Sequence, residues 1–489
     1  MIKLRVCEPM KVLNKKESFF ETVMHIGAGT IINMVIGFIS TPIFTRLVEP
    51  DEYGKLNIFT LYIGIAVMVL CLGLDQAMVR FYYHDKSISY KRWLVSVCVI
   101  IPIIVFSIVC IAFEVLLATD TIVFEFTGIR ILFYCGVFCE ILFRFASLLL
   151  RLEGNGKYYS IASIIYKSSY VIVAVIIIEL FKRNDFLPLA IGLVMGYLMA
   201  LAFSTISYRD IWFFWKEKTS ISVKISELLT YSLPFILSMG LTTLFEAIDK
   251  LSLKYLCDYS VVGIYSSATT LIAVFAIVQS SFNAVWAPTS VKHYEEAPED
   301  RGFYTRYNIT ITVIMFVFGM TFILCKDVFG LLLGIKYREA AQIIPFLALH
   351  PIMYTISETT VTGVVVKKKS YVHIIIAAIV CVVNFVGNML LIPYLGAKGA
   401  AISTGLSYVA FYSLRTGFGN RYYWFDHKPL KFWLSAFLSI IYAVYNTFFE
   451  MGIVSVVLYL VIVAAISFLY RETIRTIISI CLNKIKRRV

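Results

Sequence analysis

The chain has 489 residues, of which 60% are hydrophobic and only 15% are charged. A soluble core of this size cannot bury so much apolar surface, so the composition excludes a soluble globular protein. The formal net charge of +13 comes from Lys and Arg residues in the short stretches between apolar runs. That distribution is typical of membrane-protein loops and gives no basic domain for binding nucleic acid.

Apolar runs long enough to cross a hydrocarbon layer about 30 Å thick recur along the whole chain. We therefore predict an all-α polytopic membrane protein with about fourteen transmembrane helices. The predicted spans, in chain order, are residues 22–45, 56–74, 93–118, 128–150, 160–181, 187–207, 228–249, 261–286, 306–325, 341–366, 371–394, 397–417, 430–448 and 452–470. The connections between them are short, so we expect no sizeable domain outside the membrane.

Lys and Arg are concentrated in every second connection. The positive-inside rule therefore places residues 1–21, the connection 208–227 and the basic tail 471–489 on the cytoplasmic side. Both termini are predicted to be cytoplasmic, with the tail lying against an anionic leaflet. We expect no cleavable signal, because the polar N-terminal segment leads directly into a full-length first span.

The ten cysteines stand mostly singly within apolar runs. Cys135 and Cys139 share a helix face, a spacing more typical of helix packing than of a metal pair. The sequence therefore predicts no metal site, no redox centre and no bound cofactor.

A weak internal repeat relates the two halves of the chain. A shift of 209 residues aligns LVEPDEYG, which begins at Leu47, with LCDYSVVG, which begins at Leu256. In each copy one span ends and the next begins. We predict two six-helix pseudo-symmetric lobes, residues 22–207 and 228–417, followed by two additional helices within 430–470. Two lobes with a site between them are the usual architecture of a secondary transporter.

Four stretches carry a resemblance to a known family. They are GAGTIINMVIGFISTPIFTRLVEPDEYG in span 1, LGLDQAMVRFYY after span 2, DKLSLKYL with VGIYSSA between spans 7 and 8, and NMLLIPYLGAKGAAISTGLSY between spans 11 and 12. Together they resemble the polysaccharide (Wzx-type) flippases of the multidrug/oligosaccharidyl-lipid/polysaccharide (MOP) exporter superfamily.

The resemblance implies a function. Such a protein moves an undecaprenyl-diphosphate-linked oligosaccharide, a repeat unit of O-antigen, capsule or exopolysaccharide, from the inner to the outer leaflet of the bacterial cytoplasmic membrane. It implies alternating access about a central cavity, coupled to a proton or sodium gradient or to the membrane potential. Membrane lipids, a polysaccharide polymerase and assembly proteins are the expected partners.

Cations at membrane depth are candidates for binding an anionic headgroup, because a charge there is costly unless it faces a partner or water. They are Arg46, Lys250, Lys254, Lys167 and Arg144. Each also admits a structural interpretation. Arg46 and Lys167 can snorkel to the membrane surface, and Arg144 can pair with Glu140 one helical turn away.

Six further charges are candidates for ion pairs or for coupling to an ion gradient. They are Asp75, Arg80, Glu140, Glu246, Asp249 and Glu358. Asp75 can pair with Arg80 or remain solvated at the interface, and Glu246 can pair with Lys250. A buried Glu358 could carry a coupling proton.

Amides and one histidine complete the polar groups within the spans. Gln279 lies in span 8, while Asn384 and Asn388 share one face of span 11. Amides in such positions commonly join helices by hydrogen bonds, and in span 8 they could meet sugar hydroxyls. His350 could titrate near neutrality, although its position beside Pro351 is also typical of a structural group.

Two other functions remain open at this point. A drug or small-cation exporter of the same superfamily would share the architecture, but cavity cations suit an anionic diphosphate better than a cationic drug. A membrane enzyme of polysaccharide assembly would need catalytic groups in a large loop or domain. The outer connections are short and carry no nucleotide-binding or paired-carboxylate motif, which disfavours an enzyme.

Overall fold

The computed structural model describes residues 19–212, 223–475 and 479; a few side chains within these ranges, including that of Glu246, lie outside the described structure. Most of the predicted segments 1–21 and 471–489 and the middle of the connection 208–227 also lie outside it. Where it is described, the chain is helical and contains no strand. Nine of these helices are long and apolar enough to cross a membrane, and a tenth span results if two helices that meet at 49° form one crossing. The predicted all-α polytopic fold is confirmed.

Every predicted span overlaps one helix or a run of consecutive helices. The helices are α1 (Phe19–Leu47), α2 (Pro50–Leu70), α3 (Leu74–Phe81), α4 (Ile88–Ala118), α5 (Arg130–Leu152), α6 (Gly156–Phe181), α7 (Leu187–Ser207), α8 (Arg209–Trp212), α9 (Ile225–Leu256), α10 (Tyr259–Ile272), α11 (Phe275–Glu296), α12 (Arg301–Leu324), α13 (Lys326–Leu332), α14 (Ala340–Leu347), α15 (Leu349–Thr360), α16 (Thr362–Val366), α17 (Tyr371–Leu395), α18 (Ala397–Tyr422), α19 (Pro429–Phe448) and α20 (Ile453–Leu469). The short helices α3, α8 and α13 lie in connections. The total of fourteen crossings stays a prediction.

The chain forms two compact units. The N-terminal unit comprises Met1–Ile36, Tyr62–Arg183 and Leu187–Leu237, and the C-terminal unit comprises Gly37–Leu61, Asn184–Phe186 and Ser238–Val489. This division differs from the predicted lobes 22–207 and 228–417 because the end of α1 and the start of α2 pack with the C-terminal unit. The predicted boundaries of the six-helix lobes stay predictions.

In the N-terminal unit, glycines permit a left-handed turn and a close helix contact. Gly73, between α2 and α3, has a φ of 68°, which a residue without a Cβ adopts at the lowest cost. A Cβ on Gly192 or Gly196 of α7 would meet the carbonyl oxygens of Tyr170 and Tyr166 in α6, each at 2.7 Å. The backbones of α6 and α7 therefore lie in close contact, as small residues allow in membrane helices.

In the C-terminal unit, aspartate caps begin two of the helices. The Asp258 carboxylate accepts the N–H of Val261 at 2.9 Å in the first turn of α10. Asp300 does the same for Phe303 at the start of α12, at 3.1 Å. Such caps satisfy backbone donors that have no partner within the helix. The cap on α10 lets the chain reverse directly after α9, and this brings α10 residues beside the end of α9.

Helices α2 and α10 cross where their glycines meet. A Cβ on Gly54 would overlap the carbonyl oxygen of Tyr259, and one on Gly263 would overlap that of Pro50. Gly54 and Gly263 are the glycines that end the two copies of the sequence repeat. The repeat therefore marks a backbone contact at which only a hydrogen atom fits.

We expect Gly54→Ala to lower the free energy of unfolding by about 1–3 kcal/mol, because an overpacked contact must shift the backbone. Gly64→Ala in the same helix is the matched control, since its Cβ would meet nothing within 4 Å. The measurement is thermal unfolding of the purified protein in detergent. Equal midpoints for the two variants would contradict the close crossing.

Candidate functional site

A cavity of about 540 Å³ lies within the C-terminal unit. Helices α9, α10, α11, α14, α15 and α18 supply its walls. Its polar lining residues are Asp249, Lys250, Tyr265, Thr269, Gln279, His350, Thr404 and Tyr408. Apolar side chains such as Phe245, Ile272 and Leu347 complete it. A cavity of this size, apolar with a few convergent polar groups, is typical of a ligand site.

Asp249, in the cavity wall, accepts four side-chain hydrogen bonds. Its Oδ2 accepts hydrogen bonds from the hydroxyls of Tyr265 and Thr404, each at 2.6 Å. Its Oδ1 accepts from the side-chain amides of Asn384 at 2.9 Å and Asn388 at 2.8 Å. The residue is only 7% exposed. Four neutral donors thus hold one buried carboxylate, and they come from α10, α17 and α18.

The charge of Asp249 has no cationic counterpart at ion-pair distance among the residues that the structure describes. A buried ionised carboxylate is stable only when it is paired or well hydrogen-bonded. The amide oxygen of Asn384 accepts from Ser403 at 2.9 Å, while that of Asn388 is buried without a hydrogen-bond partner. Carboxylate, amide and hydroxyl oxygens are the ligands of hard cations, so this cluster, which we call the Asp249 cluster, has the chemistry to attract one.

Lys250, the next residue of α9, also lines the cavity. Its ammonium group donates to the side-chain oxygen of Asn57 at 3.1 Å. Because Lys250 and Asp249 follow one another on a helix, their side chains diverge and do not neutralise each other. The predicted pairing of Lys250 with Glu246 falls on a side chain outside the described residues.

Aromatic rings form another part of the cavity wall. The His350 imidazole stacks on the Tyr408 ring, with centroids 3.8 Å apart and planes inclined by 22°. His350 therefore lies in the cavity wall, packed flat against a ring. A role in proton coupling stays a prediction.

Arg46 and Lys254 lie elsewhere in the C-terminal unit. The Arg46 guanidinium is exposed and donates to the carbonyl oxygen of Leu332 at 3.1 Å. Its neighbour Thr45 accepts the N–H of Gly334 at 3.1 Å. Lys254 is half-buried, with its ammonium 4.7 Å from the Tyr255 ring. Neither cation lines the described cavity, and whether either one anchors its helix at the membrane surface stays a prediction.

Glu358, a candidate for an ion pair or for coupling, forms an ion pair with a partner that the sequence did not predict. Its carboxylate accepts from Arg415 of α18 at 2.8 Å, and the Arg415 side chain is 6% exposed. The Arg415 guanidinium carbon lies 5.3 Å from the centre of the Tyr354 ring and 5.1 Å from that of the Phe411 ring, two rings that stack on each other. Cation–π contacts and a carboxylate thus hold the arginine. Glu358 is a partner in a structural pair here, and proton coupling through it stays a prediction.

Two pairings that the sequence allowed in the N-terminal unit are not formed, and Asp75, at 5% exposed, is not solvated either. Arg144 does not pair with Glu140: its guanidinium holds Asp75 through two nitrogens, at 2.6 and 3.1 Å. Asp75 accordingly does not pair with Arg80, which is exposed at the end of α3. The pairs were predicted from spacing along one helix, whereas the partners that meet in space lie on two different helices. A buried carboxylate on α3 gains more from an arginine on α5 that donates two N–H groups to its Oδ2 than from an exposed i,i+5 neighbour.

The remaining charges of this unit have separate environments. Glu140 accepts the hydroxyl of Tyr197 at 2.9 Å, and the Tyr197 ring stacks on Tyr166 at 4.6 Å. Lys167, in α6, is half-buried. Within the described residues Lys167 makes no ion pair, so its role as a cavity cation or a snorkelling anchor stays a prediction.

We expect Arg144→Ala to destabilise the protein by roughly 3 kcal/mol, because it leaves the buried Asp75 carboxylate without its counter-charge. Adding Asp75→Asn should recover part of that loss. The measurement is a double-mutant cycle by thermal unfolding in detergent. Additive effects of the two substitutions would contradict the coupling.

Comparisons with known proteins define the family. A sequence model of the family described as polysaccharide biosynthesis protein matches residues 20–294, which is more than half of the chain. A relative from Methanocaldococcus jannaschii, the uncharacterized membrane protein MJ1068, is 24% identical over 449 residues that cover 84% of this chain and 87% of the relative.

Solved structures share the fold. The lipid II flippase MurJ in an inward closed conformation superposes with a TM-score of 0.69 at 13% identity, covering 92% of this chain and 100% of that chain. An inward-facing multidrug resistance MATE family transporter of the MOP superfamily superposes with a TM-score of 0.58 at 15% identity, covering 82% and 97%. The resemblance recognised in the sequence motifs is thereby confirmed. This chain is a multi-pass membrane protein that belongs to the polysaccharide biosynthesis protein family and has the fold of MOP-superfamily transporters.

Proposed function

We propose that this protein is a transporter that flips a diphosphate-linked oligosaccharide on a polyprenyl carrier between the leaflets of a bacterial cytoplasmic membrane. The observation that carries the proposal is the cavity in which Lys250 lies beside the Asp249 cluster. Family membership and a fold shared with a lipid II flippase support it. Both termini are cytoplasmic in this proposal, as the distribution of Lys and Arg predicts.

The cavity suits the headgroup end of such a substrate. Lys250 offers a compact positive charge, which lysine commonly presents to phosphate oxygens. Gln279 and Thr269 add polar groups for sugar hydroxyls, and the Tyr408 ring adds an aromatic face. A volume of about 540 Å³ matches a drug-sized ligand. The cavity would therefore hold the diphosphate and the sugar next to it, with the prenyl chain outside.

The Asp249 cluster supplies the coupling step. A cation that enters the cavity meets the Asp249 carboxylate, which no described cation pairs, and the amides of Asn384 and Asn388. Rotating either side-chain amide by about 180° exchanges the positions of its nitrogen and its oxygen. The oxygen then faces the carboxylate and, together with the Thr404 hydroxyl, makes an oxygen-lined site of the kind that hard cations prefer. A proton on Asp249 is the alternative, because it too would cancel the buried charge. Either ion would link the state of the carboxylate to a transmembrane gradient.

A drug exporter is the second candidate. A buried carboxylate in an apolar cavity would attract a cationic drug as it attracts a small cation, and a multidrug transporter shares the fold at a TM-score of 0.58. Lys250 opposes this function, because a cation in the cavity wall repels a cationic substrate. We therefore favour the anionic lipid-linked substrate.

Deletion of the gene from its native host tests the proposal. We expect loss of surface glycan with accumulation of lipid-linked oligosaccharide in the inner leaflet, and restoration of both by the wild-type gene. Surface-glycan staining and extraction of the lipid-linked intermediate measure the two effects. Unchanged surface glycan together with increased drug sensitivity would overturn the flippase and favour the exporter.

The coupling ion is tested separately with the purified protein in proteoliposomes. Uptake of a fluorescent lipid-linked oligosaccharide would be driven by an imposed sodium gradient or an imposed pH gradient. We expect stimulation by one of the two and its loss in Asp249→Asn. Equal flipping without any gradient would contradict coupling but would leave the flippase itself supported.

A further inference from the structure

We propose that the C-terminal helices carry a binding site for the phosphate group of an anionic phospholipid. A second cavity, of about 340 Å³, lies in the C-terminal unit where α19 begins and α20 ends. Its lining includes Lys428, Lys431 and Arg471. The site lies outside the cavity of Asp249, shares no lining residue with it, and does not depend on the proposed transport function.

Three cations from two helix ends converge on this cavity. The Lys431 ammonium lies 5.8 Å from the Tyr470 ring, and the Arg471 guanidinium lies 5.9 Å from the Phe468 ring. These aromatic contacts orient both cations without neutralising them. The arrangement leaves two positive charges at one cavity rim.

Acidic groups offset part of this charge. Asp426 binds the Lys428 ammonium at 2.5 Å, and the hydrogen bond from Lys428 lowers the pKa of the Asp426 carboxyl. Asp426 therefore stays ionised and compensates Lys428. Glu472 is the acid in the lining itself. Three cations against two acids leave the site with a net positive charge, which suits one phosphodiester.

The start of α19 adds backbone donors. Pro429 is its first residue, and no side chain caps the helix at Lys428. The first-turn N–H groups of a helix without a cap attract anions. Lys428 and Lys431 belong to the same turn, so the backbone and the side chains favour the same ligand charge.

Apolar side chains beside the cavity identify the ligand as a lipid. Ile309, Phe468 and Leu469 share the lining with the cations, and Phe468 is 71% exposed. Further along α20, Leu460 and Val461 are each 59% exposed, as expected of a surface that faces acyl chains. A headgroup in the cavity would place its chains along this face. Basic pockets of this kind between membrane helices bind anionic headgroups, on the side that the positive-inside rule assigns to the cytoplasm.

The test measures lipid binding to the purified full-length protein in detergent by native mass spectrometry. Phosphatidylglycerol is titrated against phosphatidylcholine of the same acyl chains, and inorganic phosphate is a third arm. We expect phosphatidylglycerol to bind preferentially, and Lys431→Gln and Arg471→Gln each to weaken it about fivefold. Glu472→Gln should strengthen binding, a gain that misfolding cannot imitate.

Lys398→Gln is the matched control, because the Lys398 ammonium also lies over an aromatic ring, 5.7 Å from Phe448 at the opposite end of α19. It should leave the preference for phosphatidylglycerol unchanged. Equal binding of the two lipids, or unchanged affinity in Lys431→Gln and Arg471→Gln, would overturn the site. Full displacement of phosphatidylglycerol by millimolar phosphate would overturn the lipid and leave a free-phosphate site.

Discussion

Asp249→Asn is expected to abolish transport while the protein remains folded in the membrane. The substitution keeps the size of the side chain and its ability to accept hydrogen bonds from Tyr265 and Thr404. It removes the negative charge, so the cluster of four neutral donors no longer attracts a cation. The measurement is restoration of surface glycan in the deletion host, with immunoblotting of membranes to show that the variant is present.

A binding measurement separates the loss of a cation from a loss of folding. A cation that binds the folded state at 100 times its dissociation constant raises the free energy of unfolding by about 2.7 kcal/mol. We therefore expect sodium to raise the thermal midpoint of the wild type in detergent and to have no such effect on Asp249→Asn. Choline chloride at equal ionic strength controls for screening.

Asp258→Asn is the matched substitution. Asp258 caps α10 a short distance beyond the end of α9, and asparagine caps a helix as well as aspartate does. This variant should transport and respond to the cation like the wild type. Normal surface glycan in Asp249→Asn, or equal loss in Asp258→Asn, would contradict the role of the Asp249 cluster.

The helical architecture follows from hydropathy because length and apolar character decide whether a helix can cross a bilayer. Every predicted span accordingly overlaps described helices. The sequence repeat aligned Gly54 with Gly263, but it did not predict that the two glycines lie in contact. Contacts between segments about two hundred residues apart depend on how the helices pack, and the residues around each glycine do not show which helices will meet.

Charge partners were harder to predict than spans. Spacing of i,i+4 suggested Glu140 for Arg144, yet such a pair contributes only about 0.3–0.5 kcal/mol. The two hydrogen bonds that Arg144 donates to Oδ2 of the buried Asp75 are stronger, and Asp75 lies on another helix. Arg415 was missed as the partner of Glu358 for the same reason.

The Asp249 cluster was partly visible in the sequence. Asn384 and Asn388 were recognised as amides on one helix face, and Asp249 was placed near the end of span 7. Their convergence needs α17 to pack against α9, a contact across more than a hundred residues. The informative signal was a pair of amides in a long apolar helix, because such groups must find polar partners inside the membrane.

Lys250→Met is expected to reduce transport about 10- to 100-fold, whereas Arg46→Met should reduce it much less. Sequence alone made both cations candidates for the diphosphate. In the structure Lys250 lines the cavity, and losing its charge would remove a hydrogen bond to an anion worth about 1.5–3 kcal/mol. Arg46 is exposed and bonded to the Leu332 carbonyl oxygen, a contact that methionine loses without disturbing the cavity. The rate of flipping of a fluorescent lipid-linked oligosaccharide in proteoliposomes distinguishes the two variants.

Lys250→Arg completes the comparison, because it retains the charge and should retain most of the rate, while binding the diphosphate through a wider fork. A salt titration adds an independent readout: the wild type should lose apparent affinity for the diphosphate as ionic strength rises, and Lys250→Met should show a weaker dependence. If Arg46→Met is the slower variant, the diphosphate is bound near the C-terminal end of α1 and not in the cavity of Asp249. That outcome would leave the fold and the cation cluster unaffected and would move the substrate site alone.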